Sequence, residues 1–459
     1  MNQKAKTLEA ITALAKRRGF VFPGSEIYGG LKGTWDLGPL GVALNNNIKR
    51  EWWKMFVDSR EDMYGLDASI LMNSKTWEAS GHIGGFCDPL VEDIKTGDRY
   101  RADHLLADAG VDAEGLSLEE IDSLLTKHEI KSPSGNTLSK ARQFNMMFAS
   151  QIGATAGEEG RVYLRPETAQ GIFVNFKNII DTMNPKMPFG IAQSGKAFRN
   201  EIAPREWLFR VREFEQMEIE YFVKESDWEE QFELWRQQIQ AWHQHIGLSP
   251  ENIREYEVPE NDLAHYSKRT IDFEYNFPGK GFDELAGFAY RTDHDLRSHQ
   301  ESSGVSLEYI ESDGTRYLPH VLEPSFGLGR IITAVLCEAY TEDEMNGELR
   351  TYLKLPKHLA PYRVAISPLL KNKPQLVEKA REVFVMLKKE FGNVAWDDNG
   401  NVGKRYRRQD EIGTPYCVVI DFDTLGEEEP SHKDTVTVRD RDTGEQERVA
   451  IADLSKYIK

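Results

Sequence analysis

The run Gln216-Met217-Glu218-Ile219-Glu220-Tyr221-Phe222-Val223 constrains this chain more than any other part of it. A strand sends successive side chains to opposite faces. Met217, Ile219, Tyr221 and Val223 therefore share one face, and Gln216, Glu218 and Glu220 share the other. Residues 189–223 as a whole read as a β-hairpin with a long loop. The carboxylate face is either solvated or the lining of a polar cleft, and its own sequence does not decide between the two.

Helical periodicity surrounds this hairpin. Residues 3–17 read as a short amphipathic helix. Residues 41–57 read as a longer one, with Val42, Ile48, Trp52, Trp53 and Phe56 in an apolar stripe. The clearest helix begins after Asp227, the expected N-cap. There Trp228, Phe232, Trp235, Ile239, Trp242 and Ile246 recur at alternating steps of four and three. These aromatics are core packing rather than a cofactor box. Residues 88–160 are rich in Asp, Glu, Gly and Ser, carry a helical patch at 117–128, and read as an inserted subdomain. The two prolines of LPKHLAP, Leu355 to Pro361, mark a second boundary. An αβ pattern follows, with a strand at 363–366, a helix at 374–391 and a strand at 416–422. No internal repeat or low-complexity tract is visible.

A chain of 459 residues implies two to four domains. Its apolar runs are too short to span a bilayer. The N-terminal stretch lacks the apolar core and small-residue cleavage site of a secretory signal. Cys87, Cys337 and Cys417 are far apart and odd in number, so no disulfide framework or metal-ligand spacing is expected, and a cytoplasmic location is. The net charge of −18, taken alone, argues against a nucleic-acid partner. Yet Gly403-Lys404-Arg405-Tyr406-Arg407-Arg408 gathers cations around an aromatic. Such a cluster is more often a solvated face than a binding surface.

Three constellations carry possible chemistry. Phe198-Arg199-Asn200-Glu201 ends one hairpin arm, and Phe209-Arg210-Val211-Arg212-Glu213-Phe214 opens the next. Arginines so placed can converge on a polyanion, since a guanidinium offers a planar fork of donors to phosphate. They can equally form an ion-pair ladder. Glu323-Pro324-Ser325-Phe326-Gly327-Leu328-Gly329-Arg330 precedes the helical run IITAVLCEAY. Its glycines permit close backbone approach at a helix N-terminus, which favours anions, or simply make a tight helix entry. No Gly-Lys-Ser/Thr follows, so this is not a Walker loop. Arg165-Pro166-Glu167-Thr168-Ala169-Gln170-Gly171 reads singly as a proline in a first helical turn with Glu167 complementing the dipole.

Taken together, these segments resemble the class II aminoacyl-tRNA synthetases. FRNE with RVREFEQME looks like motif 2, and EPSFGLGR looks like motif 3. GPLGVALNNNIKREWWKMFV resembles motif 1 of the glycyl branch, a helix at the dimer interface. RPETAQGIF, WEASGH and the tail GKRYRRQDEIGTPYCVVIDFDT are also similar to that branch. The tail matches the anticodon-binding domain shared by the glycyl, threonyl, prolyl and histidyl enzymes. The resemblance covers nearly the whole chain. Some relatives carry paired cysteines after motif 1, where this chain has only Cys87, so no zinc is expected.

The resemblance implies an α+β fold: an antiparallel-sheet catalytic core, an inserted subdomain, and a C-terminal α/β anticodon-binding domain. The divisions are residues 1–87 (core with motif 1), 88–160 (insertion, with an acceptor-stem contact), 161–355 (core with motifs 2 and 3) and 361–459 (anticodon binding). It implies ATP-dependent attachment of glycine to tRNA(Gly) through an adenylate, by a homodimer. The alternatives are a threonyl, prolyl or histidyl relative, or a non-catalytic RNA-binding paralogue. The catalytic residues implied are Arg199, Glu201 and Arg330. ATP is expected against those three, Asn200, Phe209, Arg210, Val211, Arg212, Glu213, Phe214, Glu284, Leu285, Gly327, Leu328 and Gly329. Glycine is expected against Arg99, Glu167, Phe214, Glu215, Gln216, Met217, Glu218, Glu323, Pro324, Ser325, Phe326 and Gly327. Glu284 is the candidate for Mg²⁺, which prefers carboxylate oxygens and bridges phosphates.

Overall fold

The structure is a computed structural model that describes residues 7–113, 115–153, 160–204, 207–345 and 347–458. Its centre is a seven-stranded sheet. In spatial order the strands are Ile253–Glu257, Arg269–Phe277, Gly281–Thr292, His320–Gly327, Glu213–Val223, Phe189–Phe198 and Met63–Gly65. All neighbours are antiparallel except the last pair. The hairpin expected at 189–223 is present, in register from Glu213↔Phe198 to Phe222↔Phe189.

The alternation at 216–223 builds a two-sided sheet. Met217, Ile219, Tyr221 and Val223 enter the main core with Ile271, Phe273, Phe288 and Phe326. The helix Trp228–His245 covers that side. Its Phe232, Trp235, Ile239 and Trp242 are buried, and Phe232 stacks on Phe288 at 4.1 Å. Burying aromatics of this size contributes roughly 2–3 kcal/mol each. The stripe is therefore core, as its spacing suggests. Asp227 does not cap the helix through its side chain; a short 3₁₀ turn, Glu225–Asp227, leads in instead. Gln216, Glu218 and Glu220 are also buried, on the opposite face. The choice the sequence left open thus falls to a polar cleft.

Three further expectations shift. The first helix runs Leu8–Arg18, capped by Thr7, and the expected start at 3–6 lies outside the described residues. The helix expected at 41–57 is Pro39–Trp53 with a π turn at Lys54–Asp58. Ile48, Trp52 and Phe56 of the expected stripe face the core together with Leu40 and Leu44, whereas Val42 falls off that helical face and is exposed. Pro166 lies outside any helix. The helix there is Ala169–Phe173, and residues before it run along the sheet so that Arg165 can donate to Lys196 O at 2.6 Å and Ala68 O at 2.8 Å.

Between the first core strands and the hairpin, the strands Arg99–Arg101, Cys87–Glu92 and Arg142–Asn145 form a separate small sheet. Val91, Leu106, Ile121 and Leu125 form its core, and a complete capping box at Ser117 and Glu120 starts the helix Leu118–Lys127. The C-terminal region has a five-stranded mixed sheet, with Val364–Pro368 parallel to both Val394–Trp396 and Tyr416–Ile420, and its own core. The linker is pinned to the core by Asn47 Nδ2, which donates to Leu359 O and Ala360 O.

The basic cluster lies on the helix Val402–Glu411, and most of it is consumed internally. Arg405 is buried and donates to Pro368 O and Gly400 O. Arg408 pairs with Asp397 at 2.6 Å, and Arg407 with Glu348 at 3.1 Å. Lys404 stays exposed.

Candidate active site

The polar face of the large sheet floors a cleft of about 500 Å³. One end is carboxylate-rich. Glu218 and Ser325 oppose each other on adjacent strands, and Ser325 Oγ donates to Glu218 Oε1 at 2.8 Å. Thr168 Oγ1 donates to the other oxygen at 2.5 Å. Burial, and then the charge of Glu167, push the Glu218 carboxyl up. Glu323 pairs with Arg291, whose other nitrogens grip Asp295 at 2.8 and 2.9 Å. Burial pushes Glu323 up to about 8 against the pull of Arg291. Burial alone would also raise Glu167. The His82 ring at 3.4 Å, with Arg291 and Gln170, holds it well below the usual carboxylate range instead.

The other end brings arginines and aromatic rings together. Arg199 lies between the rings of Phe86 and Phe214, 5.4 and 5.2 Å from their centroids, and donates to Pro166 O. Arg330 stacks on Phe209 at 4.3 Å and pairs with Glu284 at 2.8 Å. Gly329 is required there, since a Cβ would come within 2.8 Å of Leu208 O. Glu284 reaches the cleft because of a bulge. Phe273 pairs with Ala286 but Glu274 pairs with Glu284, so Leu285 is the extra residue. That residue resets the alternation, and Glu284 and Gly287 then share the cleft side. Asp272 lies cross-strand from Gly287, and burial, with Glu284 and Glu274 nearby, pushes its carboxyl up to about 7.

The expected residues divide accordingly. Glu167, Arg199, Glu201, Phe209, Arg210, Val211, Phe214, Gln216, Glu218, Glu284, Leu285, Glu323, Ser325, Gly327, Gly329 and Arg330 line this cleft. Met217, Phe326 and Leu328 are in the core behind the sheet, by strand parity or helix face, and Pro324 is buried. Arg212 is turned to Glu201 O and Lys32 O, Glu213 pairs with Lys196, and Glu215 pairs with Lys49. Asn200 contributes a backbone bond to Met146 O at 2.7 Å. Arg99 does not reach the cleft. It is exposed and 3.7 Å from Glu92, and it is Arg101 that lines the cleft, held by Asp88 at 2.9 Å and Asp103 at 2.5 Å. The two arginines lie on one strand, two residues and about 7 Å apart.

Sequence reading passed over Arg291, Asp295, Gln170, Arg101 and Asp272. The close spacing of charges in Arg291-Thr-Asp-His-Asp295 was the available signal for the first two. For the others nothing local distinguishes a cleft residue from a surface one.

Comparison with known proteins adds independent information. The family model "tRNA synthetase class II core domain (G, H, P, S and T)" matches residues 154–339, and "Anticodon binding domain" matches residues 363–459. A glycine–tRNA ligase of Clostridium tetani is 49% identical over 464 residues, covering 99% of this chain and 98% of its own. Those of Bacillus thuringiensis subsp. konkukian and Caldanaerobacter subterraneus subsp. tengcongensis are each 48% identical over 461 residues, covering 98% of both chains.

Proposed function

The chain belongs to the glycine–tRNA ligase family, and on that premise we propose how its cleft divides the work. It is a class II aminoacyl-tRNA synthetase: it attaches glycine to tRNA, with ATP as substrate and an anticodon-binding domain for the tRNA. The observation that carries the assignment of residues is the single cleft that joins the carboxylates Glu167, Glu218 and Glu323 to the arginines Arg199 and Arg330.

Glycine's ammonium enters the carboxylate end, and ATP lies across Arg199, Phe209, Phe214 and Arg330. The glycine carboxylate, already ionised, attacks the α-phosphorus. The bond to the bridging oxygen breaks, and pyrophosphate leaves with the electron pair. No base is needed, so the rate comes from alignment and from charge placed where it develops. Arg199 neutralises the α-phosphoryl oxygens. A terminal ribose hydroxyl of the tRNA then attacks the carbonyl carbon, AMP leaves, and the ester forms. Arg101 is placed by the insertion to meet an anionic group at the cleft mouth.

Mg²⁺ fits the residues present. Glu284 Oε1 and Asp272 Oδ1 flank Gly287, each about 4 Å from where its Cβ would stand. Glu284 and Asp272 would hold the ion through hard oxygen donors, and it would supply charge neutralisation at the phosphates. The divisions 1–87, 88–160, 161–355 and 361–459 describe the working parts. Large apolar side chains near the motif 1 helix, among them Ile27, Tyr28, Leu31 and Val42, lie on the surface. A second copy of the chain covers them, since exposed apolar area of this kind marks an interface. The enzyme works in the cytoplasm; among the described residues no helix is long and apolar enough to cross a membrane.

ATP–pyrophosphate exchange with glycine, threonine, proline and histidine tests the assignment. Glycine alone should drive exchange. Exchange with one of the others, or none with glycine, would overturn it.

A further inference from the structure

Glu220 has no counterpart among the residues given roles above. It is wholly buried, and neither of its carboxyl oxygens has a hydrogen-bond partner among the described residues. The register that pairs Glu218 with Ser325 and Tyr221 with Leu322 sets Glu220 opposite Glu323, on the same face of the sheet. On its other side stands Ile191, which offers no charge.

The groups around it are all committed. Arg291 gives two nitrogens to Asp295 and one to Glu323 Oε2. Glu218 takes two hydroxyl donors, and Glu167 has His82 and Gln170. Each of these carboxylates accepts from at least one donor, which favours its ionised form even where, as at Glu218 and Glu323, burial works against it. Glu220 has none, and an isolated carboxylate in such a place costs several kcal/mol. The carboxyl without donors is therefore the one with least to hold it ionised.

We propose that Glu220 is a positioning residue for the ammonium end of the cleft: a neutral carboxylic acid that steadies Glu323 from across the strand pair without adding charge. The proposal rests on the assignment of glycine to this end of the cleft. Arg291 reaches one oxygen of Glu323, and an incoming ammonium draws on the same carboxylate. Burial raises Glu323, and a neutral O–H beside it favours the ionised form that an ammonium needs, which an apolar side chain cannot do. Burial, and then the charge of Glu323, favour the neutral state of Glu220, with Arg291 pulling the other way and Glu218 and Asp295 reinforcing it.

The test uses Glu220→Gln and Glu220→Met in the full-length protein, with Glu218→Gln as reference. In the infrared at neutral pH, the wild type minus Glu220→Gln difference should contain the carbonyl band of a protonated carboxylic acid. A difference showing only carboxylate bands refutes the neutral state. Glu220→Met should melt at or above the wild-type temperature, since it replaces an unpartnered polar group. It should nevertheless raise the glycine KM in exchange about tenfold, as the dipole that favours the ionised Glu323 is lost, with the KM for ATP unchanged. Glu220→Gln should restore most of that loss. If Glu220→Met leaves the glycine KM unchanged while Glu218→Gln raises it, Glu220 is only a filler and the proposal fails alone. If Glu218→Gln also leaves it unchanged, the assignment of glycine to this end fails and takes the proposal with it.

Discussion

Ser325 Oγ stands directly across the strand pair from Glu218 and donates to its Oε1 at 2.8 Å. Wall and anchor are thus one hydrogen-bonded unit. Glycine has no side chain to grip, so discrimination against larger amino acids must be steric. Ser325→Gly removes the wall, and a methyl-sized change is worth about 1–3 kcal/mol, or roughly 10- to 200-fold. Alanine use relative to glycine should rise by that order. Glu218→Gln should impair glycine, alanine and serine alike, because it removes charge and keeps shape. Exchange assays with the three amino acids decide this. Selective admission of alanine by Glu218→Gln, and not by Ser325→Gly, would reverse the two roles.

Arg199→Ala should lower the rate of glycine-dependent exchange on the order of a hundred- to a thousand-fold, as expected for a lost contact to developing charge. Phe86 and Phe214 hold the guanidinium plane. Arg199→Lys should therefore recover little, since an ammonium cannot present the planar fork. Exchange at the wild-type rate in either folded variant would exclude the role given to Arg199.

Arg350 is fully buried and joins Asp343, on the strand Tyr340–Met345 that pairs with Glu348–Leu353, to Asp410 of the helix Val402–Glu411, where Arg439 also binds. Cutting the chain at Pro361 would strip Arg350 of Asp410 and Arg441 O. Asp410→Ala, for the same reason, should destabilise the protein by about 3–5 kcal/mol. Point variants are the cleaner probe of the anticodon region. Lys404→Glu should leave exchange intact, weaken tRNA charging, and lower the salt slope of charging by about one. Unaltered charging over a salt titration would remove Lys404 from the tRNA surface.

Asp272 carries a pH signature. Its carboxyl is raised from 3.8 to about 7, so its contribution to stability is full below pH 4 and lost as pH rises to 7. Asp272→Asn cannot ionise. Its melting temperature relative to wild type should climb from pH 4 to 7 and then level off. Melts at pH 5 and 8 without Mg²⁺ check this, and a difference independent of pH would contradict the raised carboxyl.

The fold was largely legible from local pattern. Alternation at Met217 to Val223 announced a strand, and the four–three spacing from Trp228 to Ile246 announced its covering helix. Both signals survive because each element must turn one apolar face to a core, whatever lies beyond it. The arginines and glycines of 198–214 and 323–330 were likewise legible as a pair of motifs.

What the pattern could not convey depends on register and on distant neighbours. Parity showed that Glu218 and Glu220 share a face, but only the opposing strand made one a hydrogen-bonded carboxylate and the other an unpartnered acid. Arg99 and Arg101 stand two residues apart on one short strand, and its pairing with Cys87–Glu92 decides which of them enters the cleft. The basic run at Lys404 to Arg408 reads as one surface, yet Asp397, Glu348 and Pro368 O absorb its arginines. Periodicity is a property of an element and its solvent, and so it is written in neighbouring residues. The state of a charged side chain is a property of the few ångströms around it, and those are filled by residues from far along the chain.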